Sequence, residues 1–385
     1  TQNLSLQEGV SISAETNSAG KAGNIEIKSP LLTIGPDTQI IATALEGATN
    51  TEAGGGNISI FSNQLNISGK LGGFSESQGQ APPSTLILKT YNNTPDLDIN
   101  FSNNGFISAR TTSTGNGGNI DISAPKTIEI KGDGKISVGT TGAGDAGRIN
   151  IQTQNLTIKD TEISARTDGS GEGGNINIYS SQTFQLDGQI LTEATGTGPG
   201  GKITLETGSL TAENSTISAQ STETATGKAG SIQITSQENI TTGIITSSAN
   251  NKKEIIDGNN ISITSQQGEI NATQPIQSFS EGGNAGNVTL KAKTNINTNI
   301  ISSYGQRKGG QISITAESGN IDTSNASVTN YSGKGEGGNV TIEANQGNVT
   351  TSDIYSFADG NGGKITVIAG EEINVAENSN IISAG

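Results

Sequence analysis

The sequence contains no cysteine, histidine, methionine or tryptophan. The absence of cysteine excludes disulfide bonds, thiolate metal sites and cysteine nucleophiles. The absence of histidine removes the commonest general base and transition-metal ligand. We therefore expect a protein without a cofactor. A cysteine-free chain also suits a bacterial protein that must stay unfolded until it is exported.

Aromatic residues make up only 3% of the chain and hydrophobic residues 30%, while 54 of the 385 residues are glycine. This composition argues against an ordinary globular core, because such cores depend on large aromatic and leucine side chains. Disordered chains contain few β-branched residues, whereas this one is rich in Ile, Thr and Val. We therefore expect an ordered protein with a thin, regular core of small aliphatic side chains.

The formal net charge is −15, and no basic run interrupts it. A nucleic-acid-binding protein needs a basic surface to neutralise phosphates, so we expect no nucleic-acid partner. The same argument disfavours an anionic membrane surface. No apolar run approaches the length of a membrane span, so we expect no membrane insertion.

A small-residue turn followed by a branched aliphatic pair recurs through the whole chain. It reads AGNIEI at 22–27, GGNIDI at 117–122, GGNINI at 173–178 and GGNVTI at 337–342, and LILKT at 86–90 supplies an atypical member. The pattern gives about thirteen units of about 27 residues. A fixed period of this length is typical of a solenoid, propeller or array, and a four-stranded propeller blade needs about 40 residues.

Each unit contains three short segments in which apolar and polar residues alternate, as in Ile149–Ile151, Leu156–Ile158 and Ile163–Ala165. Alternation predicts strands that are buried on one face. We therefore predict an all-β fold, a right-handed parallel β-helix of about 13 coils with three short strands each. Equivalent residues stacked ~4.8 Å apart would give a rod of roughly 60 Å.

We predict a single continuous β-helix over residues 1–385, with an irregular insertion at about 69–105. The insertion contains SESQGQAPPST and YNNTPDLDIN, which favour a protruding loop that leads into an atypical coil. The chain begins and ends in the middle of a repeat, and neither end carries a cap. Open β-helix ends normally need caps, so we expect this segment to be excised from a longer array.

The AGNI/GGNI turn, the x-L-x-I second strand and the ISA third strand resemble the repeats of filamentous-haemagglutinin-like exoproteins. These are large bacterial surface proteins that are exported by two-partner secretion. The resemblance implies a secreted, right-handed β-helix used in adhesion or cell-surface structure. The secretion domain of the family carries an Asn-Pro-Asn-Gly motif, and no Asn-Pro occurs here, so the segment would lie downstream in the shaft.

Four aromatic residues each lie three positions after a third-strand aliphatic residue: Phe279, Tyr304, Tyr331 and Phe357. Strand alternation turns this position outward or into a corner. The column is a candidate platform for a sugar or a protein partner. The alternative is a corner stack that stabilises neighbouring coils.

An acidic column follows the second strand in four successive coils, at Asp133, Asp160, Asp187 and Glu213. Carboxylates stacked ~5 Å apart could bind Ca²⁺, but calcium wants six or more oxygens, so an exposed turn is the simpler interpretation. Arg110 and Arg166 lie at equivalent places, with Gly139 in the coil between them. Because no coil gathers a dense set of charged residues, we predict that the protein is not an enzyme.

Asparagine recurs before the first strand, at Asn24, Asn57, Asn119, Asn175, Asn287 and Asn339. One interpretation is a turn position, where asparagine tolerates left-handed geometry and stacked amides form hydrogen bonds. The other is N-glycosylation, since many of these residues fit N-x-S/T. We favour the turn, because Arg148, Lys202 and Gln311 occupy the same place.

Together these features predict the structural shaft of a secreted bacterial surface exoprotein, either an adhesin or an extracellular fibre component. It would act by extension, display and self-association. The alternative is a β-helix that binds or cleaves carbohydrate. The expected partners are copies or neighbouring coils of the same chain, surface glycans and an outer-membrane secretion partner during export. The expected location is the cell surface or the extracellular space.

Overall fold

The computed structural model describes residues 3–7, 9–18, 20–45, 48, 55–75, 84–112 and 115–385, except for the side chains of residues 74 and 75. The chain forms two compact units, Thr1–Lys202 and Ile203–Gly385. Both units are built from short parallel strands and turns, and one 3₁₀ turn, Tyr91–Asn93, lies in the first.

The strands of the first unit are β1 (Asn3–Leu6), β2 (Ser11–Thr16), β3 (Ile25–Lys28), β4 (Leu31–Ile34), β5 (Gln39–Ala44), β6 (Ile58–Phe61), β7 (Gln64–Ile67), β8 (Lys70–Ser75), β9 (Thr85–Lys89), β10 (Asp96–Phe101), β11 (Phe106–Thr111), β12 (Asn119–Ser123), β13 (Thr127–Lys131), β14 (Lys135–Thr140), β15 (Arg148–Thr167) and β16 (Asn175–Ala194).

The strands of the second unit are β17 (Ile203–Ser221), β18 (Ile232–Ser236), β19 (Ile240–Ala249), β20 (Ile261–Ser265), β21 (Ile270–Ala272), β22 (Ile276–Ser280), β23 (Val288–Ala292), β24 (Ile296–Thr298), β25 (Ile301–Gly305), β26 (Ile312–Ala316), β27 (Ile321–Thr323), β28 (Val328–Ser332), β29 (Val340–Ala344), β30 (Val349–Thr351), β31 (Ile354–Ala358), β32 (Ile365–Ala369), β33 (Ile373–Val375) and β34 (Ile381–Ala384).

Within each unit a strand pairs in parallel with the equivalent strand of the next coil, so that identical positions stack. Ile120, Ile149 and Ile176 are in register in the first unit and are fully buried. Each such side chain contributes roughly 1.5–3 kcal/mol of burial free energy before the entropy cost. The predicted all-β fold is confirmed as a parallel β-solenoid of about 13 turns, and its right-handed sense stays a prediction.

Three strands per coil is the rule, but three coils are more continuous than the sequence suggested. Strands β15, β16 and β17 run through 20, 20 and 19 residues. Irregularities between β15 and β16 mark the corners, at Thr153/Asn155 and at Lys159/Glu162. The corners of these coils are therefore tight bulges within one ladder.

The second glycine of the GGN turn is required by the stacking of the coils. A Cβ atom on Gly174 would overlap the carbonyl oxygen of Gly147 in the preceding coil, and one on Gly201 would overlap that of Gly174. In the second unit a Cβ atom on Gly338 would overlap the carbonyl oxygen of Gly310. Any other residue at these three positions would require the backbone of the neighbouring coil to shift.

The recurrent asparagine before the first strand links neighbouring coils. Each side-chain oxygen accepts a hydrogen bond from the backbone N–H of the equivalent residue in the next coil. Asn175 accepts from the Lys202 N–H (2.9 Å), and Asn339 accepts from the Lys364 N–H (2.9 Å). The same bond is made by Asn24, Asn57, Asn119 and Asn287. None of the six has a positive φ, so the predicted turn role is supported, whereas left-handed geometry is the wrong reason for it.

The second unit contains a buried polar column that the first unit lacks at most of its equivalent positions. The column lies two residues after the first aliphatic of the third strand. Its buried members are in register: Ser247, Ser278, Ser303, Asn330 and Ser356. The Ser303 hydroxyl donates to the Gly286 carbonyl (3.0 Å) and accepts from the Gly310 N–H (2.9 Å). These hydroxyls therefore fix the glycine turns across the inside of the coil.

The segment predicted to be irregular, 69–105, includes residues 76–83, which lie outside the described residues. Around them the ladder continues, because β8 pairs with β5 and β11, and β9 with β6 and β12. The turn before β10 has positive φ at Asn92 and Asn93 (49° and 55°). The proposed protruding loop stays a prediction.

Candidate functional site

The four aromatic residues predicted as a platform lie in one column of the second unit. Phe279, Tyr304, Tyr331 and Phe357 are successive partners in the ladder formed by β22, β25, β28 and β31. Their strands alternate, with buried serine or asparagine on the inner side and the rings on the outer side. The spacing in the sequence therefore placed this column correctly.

Three rings of this column take part in stacked pairs. Tyr304 and Tyr331 have ring centroids 5.4 Å apart and an interplanar angle of 7°. Phe357 stacks instead on Tyr355 of its own strand, at 5.1 Å and 19°. Tyr355 was missed by the sequence analysis, although its position two residues before Phe357 on the same face of β31 could have identified it.

The most exposed residue of the column is Tyr331, which is 36% exposed. The Tyr304 hydroxyl donates to Gln306 Oε1 (2.9 Å). Burial, followed by the negative charge of Glu281 and the neighbouring Tyr331, raises the pKa of the Tyr304 phenol above its ordinary 10.0. A neutral phenol and flat ring faces can stack and form hydrogen bonds, but they supply no general base near neutral pH.

Asp133, Asp160 and Asp187 do not form the predicted acidic column, so that prediction is wrong. Lys131, Lys159 and Asp187 are the residues in register, so Asp187 lies opposite a lysine. Asp160 lies in the corner at a positive φ of 56°, and Asp133 lies in the longer corner after Lys131. The described part of the chain contains no group of three acidic side chains placed to hold a metal ion.

The two arginines are separated as the sequence predicted, because Gly139 lies in register between Arg110 and Arg166. Arg166 pairs with Asp168 (2.6 Å) and with Glu193 (2.9 Å). Burial alone would raise the pKa of Asp168, but the hydrogen bonds from Arg166 and Thr195 and the charges of Arg166 and Arg110 hold it below its usual 3.8. This cluster is a mutually neutralised surface network.

A groove of about 450 Å³ lies on the first unit between Phe61 and Tyr179, where the sequence analysis predicted no site. It follows the ends of the first strands of successive coils and is lined mainly by hydroxyl and amide side chains. The sequence feature that could have predicted this groove is the change between large and small side chains at one repeat position, where Ser123 lies between Lys89 and Gln152.

No helix in the described part of the chain is both long and apolar enough to cross a bilayer. No family model, curated protein or solved structure matches this chain.

Proposed function

We propose that this chain belongs to the structural shaft of a secreted bacterial surface exoprotein of the filamentous-haemagglutinin-like type. Its role is extension, display and self-association at the cell surface. The observation that supports this role is the regularity of each unit. Core and turn positions repeat from coil to coil, and the described residues contain no group of three acidic side chains that could hold a metal ion.

Stacked coils suit a mechanical role because their backbone hydrogen bonds run between coils, along the stacking direction. Every coil adds a set of these bonds and a buried aliphatic layer to the previous one. Several coils also add an asparagine bond between coils, such as the one from the Lys202 N–H to Asn175. Stability of such arrays comes from nearest-neighbour stacking. The shaft can therefore lengthen by repetition without a new core design.

The surface chemistry fits an extracellular location. The chain carries a net charge of −15 and no cysteine, which keeps it soluble and independent of the redox state of its surroundings. In this proposal an outer-membrane partner exports the unfolded chain. Surface glycans and further copies of the chain are its partners after folding.

Immunogold electron microscopy of the bacterium that encodes the chain tests this proposal. Antibodies against the purified chain should label intact cells or extracellular fibres, and the label should disappear from the surface when the outer-membrane secretion partner is deleted. An antibody against a cytoplasmic protein is the control for lysis. Labelling that requires broken cells, or a secreted protein seen as compact particles, would contradict the proposed shaft.

A further inference from the structure

We propose that the groove on the first unit binds a neutral polysaccharide chain. We call it the corner groove and define it by Phe61, Lys89, Ser123, Gln152, Gln154 and Tyr179. The proposal does not depend on the shaft function, because it rests on the local chemistry of five coils of one unit.

The corner groove exists because one exposed repeat position carries side chains of very different size. Phe61, Lys89, Ser123, Gln152 and Tyr179 are successive partners in the ladder. Four steps of ~4.8 Å place the two rings about 19 Å apart along the stacking direction. The short side chain of Ser123 leaves a recess between them, so the groove is long, shallow and bounded by aromatic rings.

The two rings are available for stacking in different ways. Tyr179 is 46% exposed. The ammonium of Lys28 lies 5.3 Å from the centroid of the Phe61 ring, a cation–π contact that holds this ring in place. Aromatic faces of this kind bind the apolar faces of sugar rings, and their hydroxyl and amide neighbours bind the sugar edges.

A second observation indicates an unfilled polar site in the wall of this groove. Thr153 is 4% exposed, and its hydroxyl has no hydrogen-bond partner in the described part of the chain. At the equivalent position in other coils, the Ser62 hydroxyl donates to Gln64 O (2.9 Å) and the Ser180 hydroxyl to Gln154 O (3.0 Å). A buried hydroxyl without a partner is costly, and a ligand or its bridging water at the groove would satisfy it.

The chemistry of the lining favours a neutral sugar chain over other ligands. Among the described residues that line the groove, Lys89 is the only one with a charged side chain. The lining therefore lacks the set of cations that phosphates or nucleic acids require. A peptide added as a strand needs a free sheet edge, whereas the strands beneath the groove are paired on both sides. Amides and hydroxyls both donate and accept, as sugar hydroxyls require.

Saturation-transfer NMR with cellohexaose, xylohexaose and mannohexaose tests the proposal on the whole chain, and calorimetry then measures the affinity. At least one of these neutral hexasaccharides should bind. Tyr179→Ala should weaken that binding by about tenfold, the upper end expected for one stacking contact. Ser123→Trp should abolish it by filling the recess. Gln185→Ala, an exposed substitution in the same coil as Tyr179, should leave it unchanged.

The proposal is overturned if none of the three hexasaccharides receives saturation. It is also overturned if only the polyanion hexagalacturonate binds, because the recognition is then electrostatic, or if Ser123→Trp binds as tightly as the unaltered chain. Circular dichroism melts of each variant identify any loss of binding that comes from misfolding. In that case Gln152→Ala, which removes an amide and leaves the backbone ladder intact, replaces the misfolded variant.

Discussion

Replacing Ser303 with alanine tests the buried polar column of the second unit. Ser303 is fully buried and bonds to the Gly286 carbonyl and the Gly310 N–H. Alanine fits the space but leaves both backbone groups without a partner inside the coil. An unsatisfied buried polar group costs about 1–3 kcal/mol. We therefore expect Ser303→Ala to lower the free energy of unfolding of this unit by about 2–4 kcal/mol.

Thermal melts and native-state hydrogen exchange measure this loss. A unit of this size loses about 2–4 °C per kcal/mol, so we expect a decrease of about 4–16 °C in Tm. Because stacked repeats can open locally, the Gly310 amide should also exchange faster than amides several coils away. Ser313→Ala, the same change at a partly exposed position in β26, is the control and should stay within about 0.5 kcal/mol. Equal stability of the two variants would refute the role of the column.

Three further predictions concern the core, the surface network and the aromatic column. Phe184→Ala should lower the free energy of unfolding, measured in urea, by about 3–5 kcal/mol. Phe184→Leu should lower it by less than about 1.5 kcal/mol, because Leu156 occupies the equivalent position in the preceding coil. Equal losses for the two variants would contradict this packing. Because folding lowers the pKa of Asp168, the contribution of its carboxylate to stability is present above about pH 4 and is lost as the pH falls through the folded-state pKa. In thermal melts between about pH 6 and pH 2, the Tm of Asp168→Asn should therefore fall less with acid than that of the unaltered chain. In an ultraviolet titration, Tyr304→Phe should remove the ionisation of a tyrosine whose pKa lies above the ordinary 10.0. Tyr331→Ala should lower the free energy of unfolding by about 0.5–1.5 kcal/mol if the stack is structural, whereas unchanged stability would favour a binding platform.

The fold could be predicted from the sequence because its determinants are local and periodic. One turn motif, one aliphatic alternation and one repeat length define the coil, and stacking then places equivalent residues together. The aromatic column followed from the same logic, since the distance from Ile301 to Tyr304 equals that from Val328 to Tyr331 within one strand. Positions counted inside a strand keep their register, because a ladder admits no insertion without a bulge.

Positions counted across a corner do not keep their register, which is why the acidic column was wrong. Between the second and third strands the corner contains residues 132–134 in one coil, residues 160 and 161 in the next, and residue 188 in the third. The corner shortens by one residue per coil, so Asp133, Asp160 and Asp187 occupy three different places. The sequence shows the residues of a corner but does not show how many of them the bulge absorbs.

The inner position of the third strand shows a different limit. In the first unit it holds Ala42, Ala109 and Ala165, whereas in the second it holds mostly serine. Both residue types are small, so a hydrophobic pattern treats them alike. Only the structure shows that the hydroxyls bond to backbone groups of the glycine turns, as Ser356 does with Gly338 and Gly363.

Binding sites on this fold can form only where polar groups are not already occupied by hydrogen bonds within the solenoid. The ladder consumes the backbone donors and acceptors of the strands, and aliphatic side chains occupy most of the inward positions. Only outward side chains remain for recognition, and stacking arranges them in columns that cross the coils. A column of uniform residues gives a flat surface, whereas the succession Phe61, Lys89, Ser123, Gln152 and Tyr179 gives a recess with rings at its ends. A ligand of this solenoid must therefore be extended, cross several coils and be recognised by side chains alone, and a sugar chain meets all three requirements.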